Sequence, residues 1–131
     1  MERRFLTKQA PHKWPFSHGV IITRPEKFIV LAGQVAYDRQ GPGRQLVGPG
    51  DIEVQTRQVF ENIKTLLTQA GATFQDVIEL TVYLVDMNHF PICGQVAQEY
   101  VGDPPPAMNL IGVNALGFPE LMVEITALAV Q

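Results

Sequence analysis

Few side chains in this sequence have the types and spacings that chemistry needs. Glu124 is a carboxylate inside an apolar run, readable as a general base or water orienter, or as an exposed or ion-paired charge on a strand. His89 sits four residues before Cys93, which allows a thiol–imidazole nucleophile. His12 and His18 lie in an N-terminal stretch rich in proline and aromatics. Asn109 and Asn114 are read either as amide hydrogen-bonding groups or as edge and turn residues. No Asp, Glu or His set has metal-ligand spacing, and with Cys93 the only cysteine neither a disulfide within the chain nor a zinc ribbon can form. Neither a metal nor a cofactor is expected. Gly41-Pro42-Gly43 and Gly48-Pro49-Gly50 are read as tight turns, because no strand feeds directly into them and no phosphate-loop pattern is present.

The elements that must carry these residues follow from periodicity. Residues 1–18 read as an irregular arm tied down by Phe5, Trp14 and Phe16. Two β-rich runs, 19–23 and 27–32, flank Arg24-Pro25-Glu26 and read as a hairpin, the second apolar enough to be covered on both faces. Asp51 caps a helix that Gly71 ends. Between them Val59, Phe60, Ile63, Leu66, Leu67 and Ala70 make the apolar stripe, and Gln55, Arg57, Glu61, Lys64 and Gln69 the polar face. A strand is expected over 77–85 and a second helix over 86–100, interrupted near Pro91 and Gly94. Pro104-Pro105-Pro106 then delivers an extended chain into residues 107–113. In the last strand, 121–130, Leu121, Val123, Ile125, Ala127 and Ala129 face one way. Met122, Glu124, Thr126 and Leu128 face the other. The fold class is α+β, two helices on one face of a mixed sheet. The second face, with Tyr83, Met122 and Leu128, lacks cover, and a symmetric oligomer joining sheet faces supplies it.

Size and charge narrow the classes. A chain of 131 residues fits one domain, 1–131. A hydrophobic fraction of 46% with 18% charged residues belongs to a globular protein. The net charge of −3 gives no basic footprint, so no nucleic-acid partner is expected. No apolar run is long enough to span a bilayer, and the segment after Arg3-Arg4 lacks the apolar core of an export signal. The expected location is the cytoplasm, with no membrane partner.

Over essentially its whole length the chain resembles the Rid (YjgF) family of small imine and enamine deaminases. The resemblance is carried by Trp14-Pro15-Phe16-Ser17, Ala32-Gly33-Gln34-Val35, Gln55-Thr56 to Asn62, Ala70-Gly71-Ala72 and Asp76-Val77 to Asp86-Met87. Pro106-Ala107 and Val123-Glu124-Ile125 to Ala129 close it. It implies a homotrimer of the chorismate-mutase-like fold, with a small-molecule ligand in each cleft between subunits. It further implies hydrolysis of 2-aminoacrylate and its imine tautomer to ammonia and a 2-keto acid. In that pattern an arginine after Pro-Ala holds the substrate carboxylate and a glutamate on the last strand positions or activates water. Here the arginine position is Met108 and the glutamate is Glu124.

Other positions of the pattern also depart from it. A frequent tyrosine is Phe16, a common serine is Ala32, a helix asparagine is Gly94, and a polar group two places past the arginine is Leu110. Cys93 matches a position usually apolar, which favours a small buried hydrophobe. The resemblance thus places Phe16, Ser17, Ala32, Gly33, Gln34, Met108, Asn109 and Leu110 about the ligand and Glu124 on the water. Methionine has no charge and no donor, whereas arginine grips a carboxylate with a rigid fork. The expectation is a hydrolase retuned to neutral or apolar imines, and the competing reading a non-catalytic binding or regulatory trimer using the same cleft.

Overall fold

The computed structural model describes residues 1–8, 15–38 and 45–131. Trp14, His12 and the Gly41-Pro42-Gly43 turn lie outside the described residues. Among the described residues five β-strands precede the first helix: β1 (Glu2–Leu6), β2 (Gly19–Thr23), β3 (Phe28–Gln34), β4 (Tyr37–Asp38) and β5 (Gln45–Leu46). Then come α1 (Ile52–Gln69), β6 (Val77–Leu84), α2 (Phe90–Gln98), β7 (Ala107–Gly112) and β8 (Val123–Val130).

The first helix begins and ends where the sequence says it must. The Asp51 side chain accepts from Val54 N–H and so satisfies one of the donors a helix leaves open. Gly71, at φ 73°, takes the left-handed conformation that closes the other end without a Cβ clash. Val59, Phe60, Ile63 and Leu67 are buried as expected, but so is Gln55, placed above on the polar face. The correction has a clear cause: every polar atom of the Gln55 amide is bonded to backbone, which removes the cost of burying it.

The main sheet runs β3-β8-β6-β7. Strand β8 is antiparallel to both neighbours, and β7 is parallel to β6, reached by the crossover through α2. The alternation of β8 is as expected: Val123, Ile125, Ala127 and Ala129 are buried in one core with the apolar sides of α1 and α2. On the other face Tyr83 lies opposite Glu124, Thr81 opposite Thr126 and Val30 opposite Leu128. That face is open, with Val30 78% and Phe28 61% exposed.

Several expectations need correction. Strand β2 pairs with β1, not with β3, so the runs around Arg24-Pro25-Glu26 are no hairpin and residues 2–6 are no irregular arm. Arg24 has φ 55°, and Glu26 and Lys27 N–H both donate to the Gln131 carbonyl, which leads β3 onto β8 instead. β3 is covered on one face only, as the exposure of Val30 shows. Met122 precedes β8 and packs against the core rather than on the open face. Asp86 caps a short 3-10 turn, Met87–His89, and α2 starts after it with Pro91 in its first turn, where a missing N–H costs nothing. Gly94 does not interrupt α2.

Candidate functional site

Glu124 stands near the start of β8 on the open face of the sheet, opposite Tyr83. Its side chain lies over Gly33 so closely that a Cβ there would stand 2.4 Å from Oε2 and 2.7 Å from Cδ. Glycine at 33 is what lets the carboxylate lie down on the neighbouring strand. The ladder between β3 and β8 slips at this point, between Leu31 and Gln34. Such a bulge leaves strand residues outside regular pairing and is common beside active sites. Gln34 is buried and its Nε2 donates to the Ala32 carbonyl at 3.0 Å. Among the described residues no ion pair or hydrogen bond engages the Glu124 carboxylate. An ion-paired strand charge therefore has no partner among the described residues, and a water-handling group and an exposed charge are the two readings that fit.

Met108 and Leu110 lie elsewhere. They pair with Leu80 and Val82, whose side chains are in the core, so they face the helices. With Phe90, Cys93 and Gly94 they wall an apolar hollow of about 10 Å³, the space of a single water. Ser17 is buried beside them, donating its Oγ to the Pro105 carbonyl at 2.6 Å and bridging to Ala107. Phe16 is half-buried, edge-on to His18. Asn109 turns the opposite way, onto the open face, where its Nδ2 donates to Thr81 Oγ1 at 3.2 Å.

Thus the expected residues form two groups on opposite faces of one sheet. Ala32, Gly33 and Glu124 come together at the bulge, and Met108 and Leu110 come together under α2. A single copy of the chain does not bring Glu124 and Met108 to one ligand.

The remaining candidates carry less. Cys93 Sγ lies 3.2 Å from Thr56 Oγ1, and burial pushes its thiol above the ordinary range. His89 stays 4.0 Å from Asp86 Oδ2, its Nδ1 without a hydrogen-bond partner among the described residues, while the Cys93 thiol is engaged by Thr56, so no hydrogen bond joins the imidazole to the thiol. A thiol ionising above its ordinary value of about 8.5 offers little thiolate at pH 8. Cys93 is therefore expected to resist iodoacetamide at that pH in native protein and to react once urea exposes it, read by mass spectrometry. Asn114 is an exposed bend residue after β7. Among the described residues no three His, Cys, Asp or Glu side chains cluster to hold a metal. No described helix is long and apolar enough to cross a membrane.

Sequence reasoning missed the buried polar side of α1. Gln55 and Asn62, seven residues apart, fall on the same helix face as the apolar stripe through Val59 and Ile63, and that spacing was the available signal. The Asn62 Nδ2 donates to the carbonyls of Val35 at 3.0 Å and Tyr37 at 2.9 Å.

Known proteins match this arrangement throughout. The family model described as Endoribonuclease L-PSP matches residues 7–131. A RutC family protein of Pyrococcus horikoshii is 38% identical over 130 residues, covering 98% of each chain. A RutC family protein of Sulfurisphaera tokodaii is 34% identical, covering 98% of this chain and 97% of its own. Among solved structures, a protein of unknown function of the conserved Rid family from Yersinia pestis superposes with a TM-score of 0.82 at 37% identity, over the whole of both chains. RidA from an Antarctic Psychrobacter superposes with a TM-score of 0.74 at 27% identity, over 97% of this chain and 98% of that one. Motifs, fold and relatives agree, and the chain belongs to the Rid (YjgF) family.

Proposed function

We propose that this protein is a hydrolase of imines or enamines, retuned from small carboxylated substrates to neutral, apolar ones. The observation that carries the reading is Glu124: a carboxylate seated over Gly33 beside a strand bulge, with no ion pair or hydrogen bond among the described residues. Hydrolysis of a C=N bond adds water across it and expels ammonia, leaving a carbonyl. A carboxylate can take a proton from the attacking water and return it to the departing nitrogen. The apolar side chains of Met108 and Leu110 set the specificity. They offer no donor to a carboxylate and favour a neutral ligand resting against them, since the hollow between them has space for only about one water.

Because those two groups lie on opposite faces, the working site is formed between copies, with Glu124 from one subunit and Met108 from the next. The exposed Phe28 and Val30 on the open face supply the apolar surface for such an assembly, and a homotrimer is its expected form. Nucleic acid is not the expected partner, since the net charge is −3 and phosphate binding draws on clustered Lys and Arg.

The test is ammonia release from two substrates made in situ: 2-aminoacrylate, and the neutral imine that an amine oxidase forms from an aliphatic or aromatic primary amine. Faster turnover of the neutral imine is expected. Inertness on both overturns the reading and turns attention to what the clefts bind.

A further inference from the structure

We propose that the two buried amides of α1, Gln55 and Asn62, are positioning residues that together set the Glu124 carboxylate on Gly33. This rests on the catalytic reading of Glu124 given above.

Glu124 touches Gly33 where the β3–β8 ladder is broken, after Leu31 has paired with Ala127 and before Gln34 pairs with Ile125. Regular pairing of β3 with β8 therefore does not fix Gly33 beneath the carboxylate. Strand β8 is held in register by β6, with Tyr83 opposite Glu124, and α1 adds the tie between the end of β3 and the approach to β8. Gln55 is fully buried, and its Nε2 donates to the carbonyls of Gly48 at 3.1 Å and Glu120 at 3.0 Å. Its Oε1 accepts from Met122 N–H at 3.0 Å, two residues before Glu124.

Asn62 does the same for the other strand. It is buried, and its Nδ2 grips Val35, two residues after Gly33, and Tyr37. Its Oδ1 accepts from Gln58 Nε2 at 2.9 Å, which fixes which end of the amide faces the strand. Seven residues of helix separate the two amides by roughly 10.5 Å along one face. One rigid element thus holds β8 just before the carboxylate and β3 just after the glycine.

An alternative account is that these amides only satisfy loop carbonyls and add stability. The two differ in what they do to rate. A small displacement of a catalytic group costs up to about a hundredfold in turnover, and it does so only if that group is acting.

The experiment compares Gln55→Met in the full-length protein and in a Glu124→Gln background, on the neutral imine generated by an amine oxidase. Val59→Ala, a core change on the same helix, serves as a control with a lowered melting temperature. Gln55→Met is expected to lower kcat by about ten- to a hundredfold with KM within about twofold. In the Glu124→Gln background the same change is expected to cost less than about twofold, and Val59→Ala to leave kcat near wild type.

Equal losses in both backgrounds, or an equal loss in Val59→Ala, would show a merely structural role and overturn the proposal. Should Gln55→Met not fold, Asn62→Ser carries the same comparison with the same outcomes. A slow Glu124→Gln beside an unaffected Gln55→Met overturns the positioning alone. A Glu124→Gln protein as fast as wild type overturns the catalytic reading, and the positioning with it.

Discussion

Glu124→Ala is expected to reduce imine hydrolysis by about two to four powers of ten, the usual contribution of a placed general base. That corresponds to roughly 2.7–5.4 kcal/mol of transition-state stabilisation. The loss should fall on kcat, because the carboxylate acts on water rather than on the bound imine. Stability should change little, within about 0.5 kcal/mol, for two reasons. The carboxylate has no ion-pair or hydrogen-bond partner among the described residues to be orphaned. The carboxylate also lies over a glycine, so the alanine uncovers no side chain at position 33. Ammonia release and a thermal melt on the same sample read the two effects apart. Undiminished release with an unchanged melt would remove Glu124 from the mechanism.

Met108→Arg is expected to raise turnover of 2-aminoacrylate relative to the neutral imine by about one to two powers of ten. A hydrogen bond to a charged group contributes roughly 1.5–3 kcal/mol, and a guanidinium gives a carboxylate two at once. The change has a cost, because Met108 faces an apolar hollow with space for about one water. An arginine must carry its head out of that hollow toward the ligand while its stem replaces the thioether. A stability loss of about 1–3 kcal/mol is therefore expected, the usual penalty for an enlarged side chain in a packed site. A ratio of kcat/KM values for the two substrates is the readout, since it cancels any inactive fraction. A folded Met108→Arg protein with an unchanged ratio would mean that position 108 does not meet the substrate.

Much of this protein was legible from local pattern. The bounds of α1 were readable because capping and termination are local: Asp51 bonds three residues on, and Gly71 adopts a conformation its neighbours disfavour. The buried face of β8 was readable because strand parity repeats every two residues. Family membership was readable because the motifs, weak singly, occur in order over the whole chain.

What tertiary structure decided was everything that depends on pairing between distant residues. β2 joins β1 because Arg24 turns the chain and the Gln131 carbonyl captures Glu26 and Lys27, a contact over a hundred residues long in sequence. Gln55 looks polar and exposed in the sequence, yet Gly48 just before the helix and, far along the chain, Glu120 and Met122 supply every partner its amide needs for burial. The division of the candidate site is of the same kind. Nothing local to Met108 states that it pairs with Leu80 and turns under α2, while Glu124 turns to the open face. A shift of one residue in the β6–β7 register would reverse that, and register is chosen by the whole buried face at once.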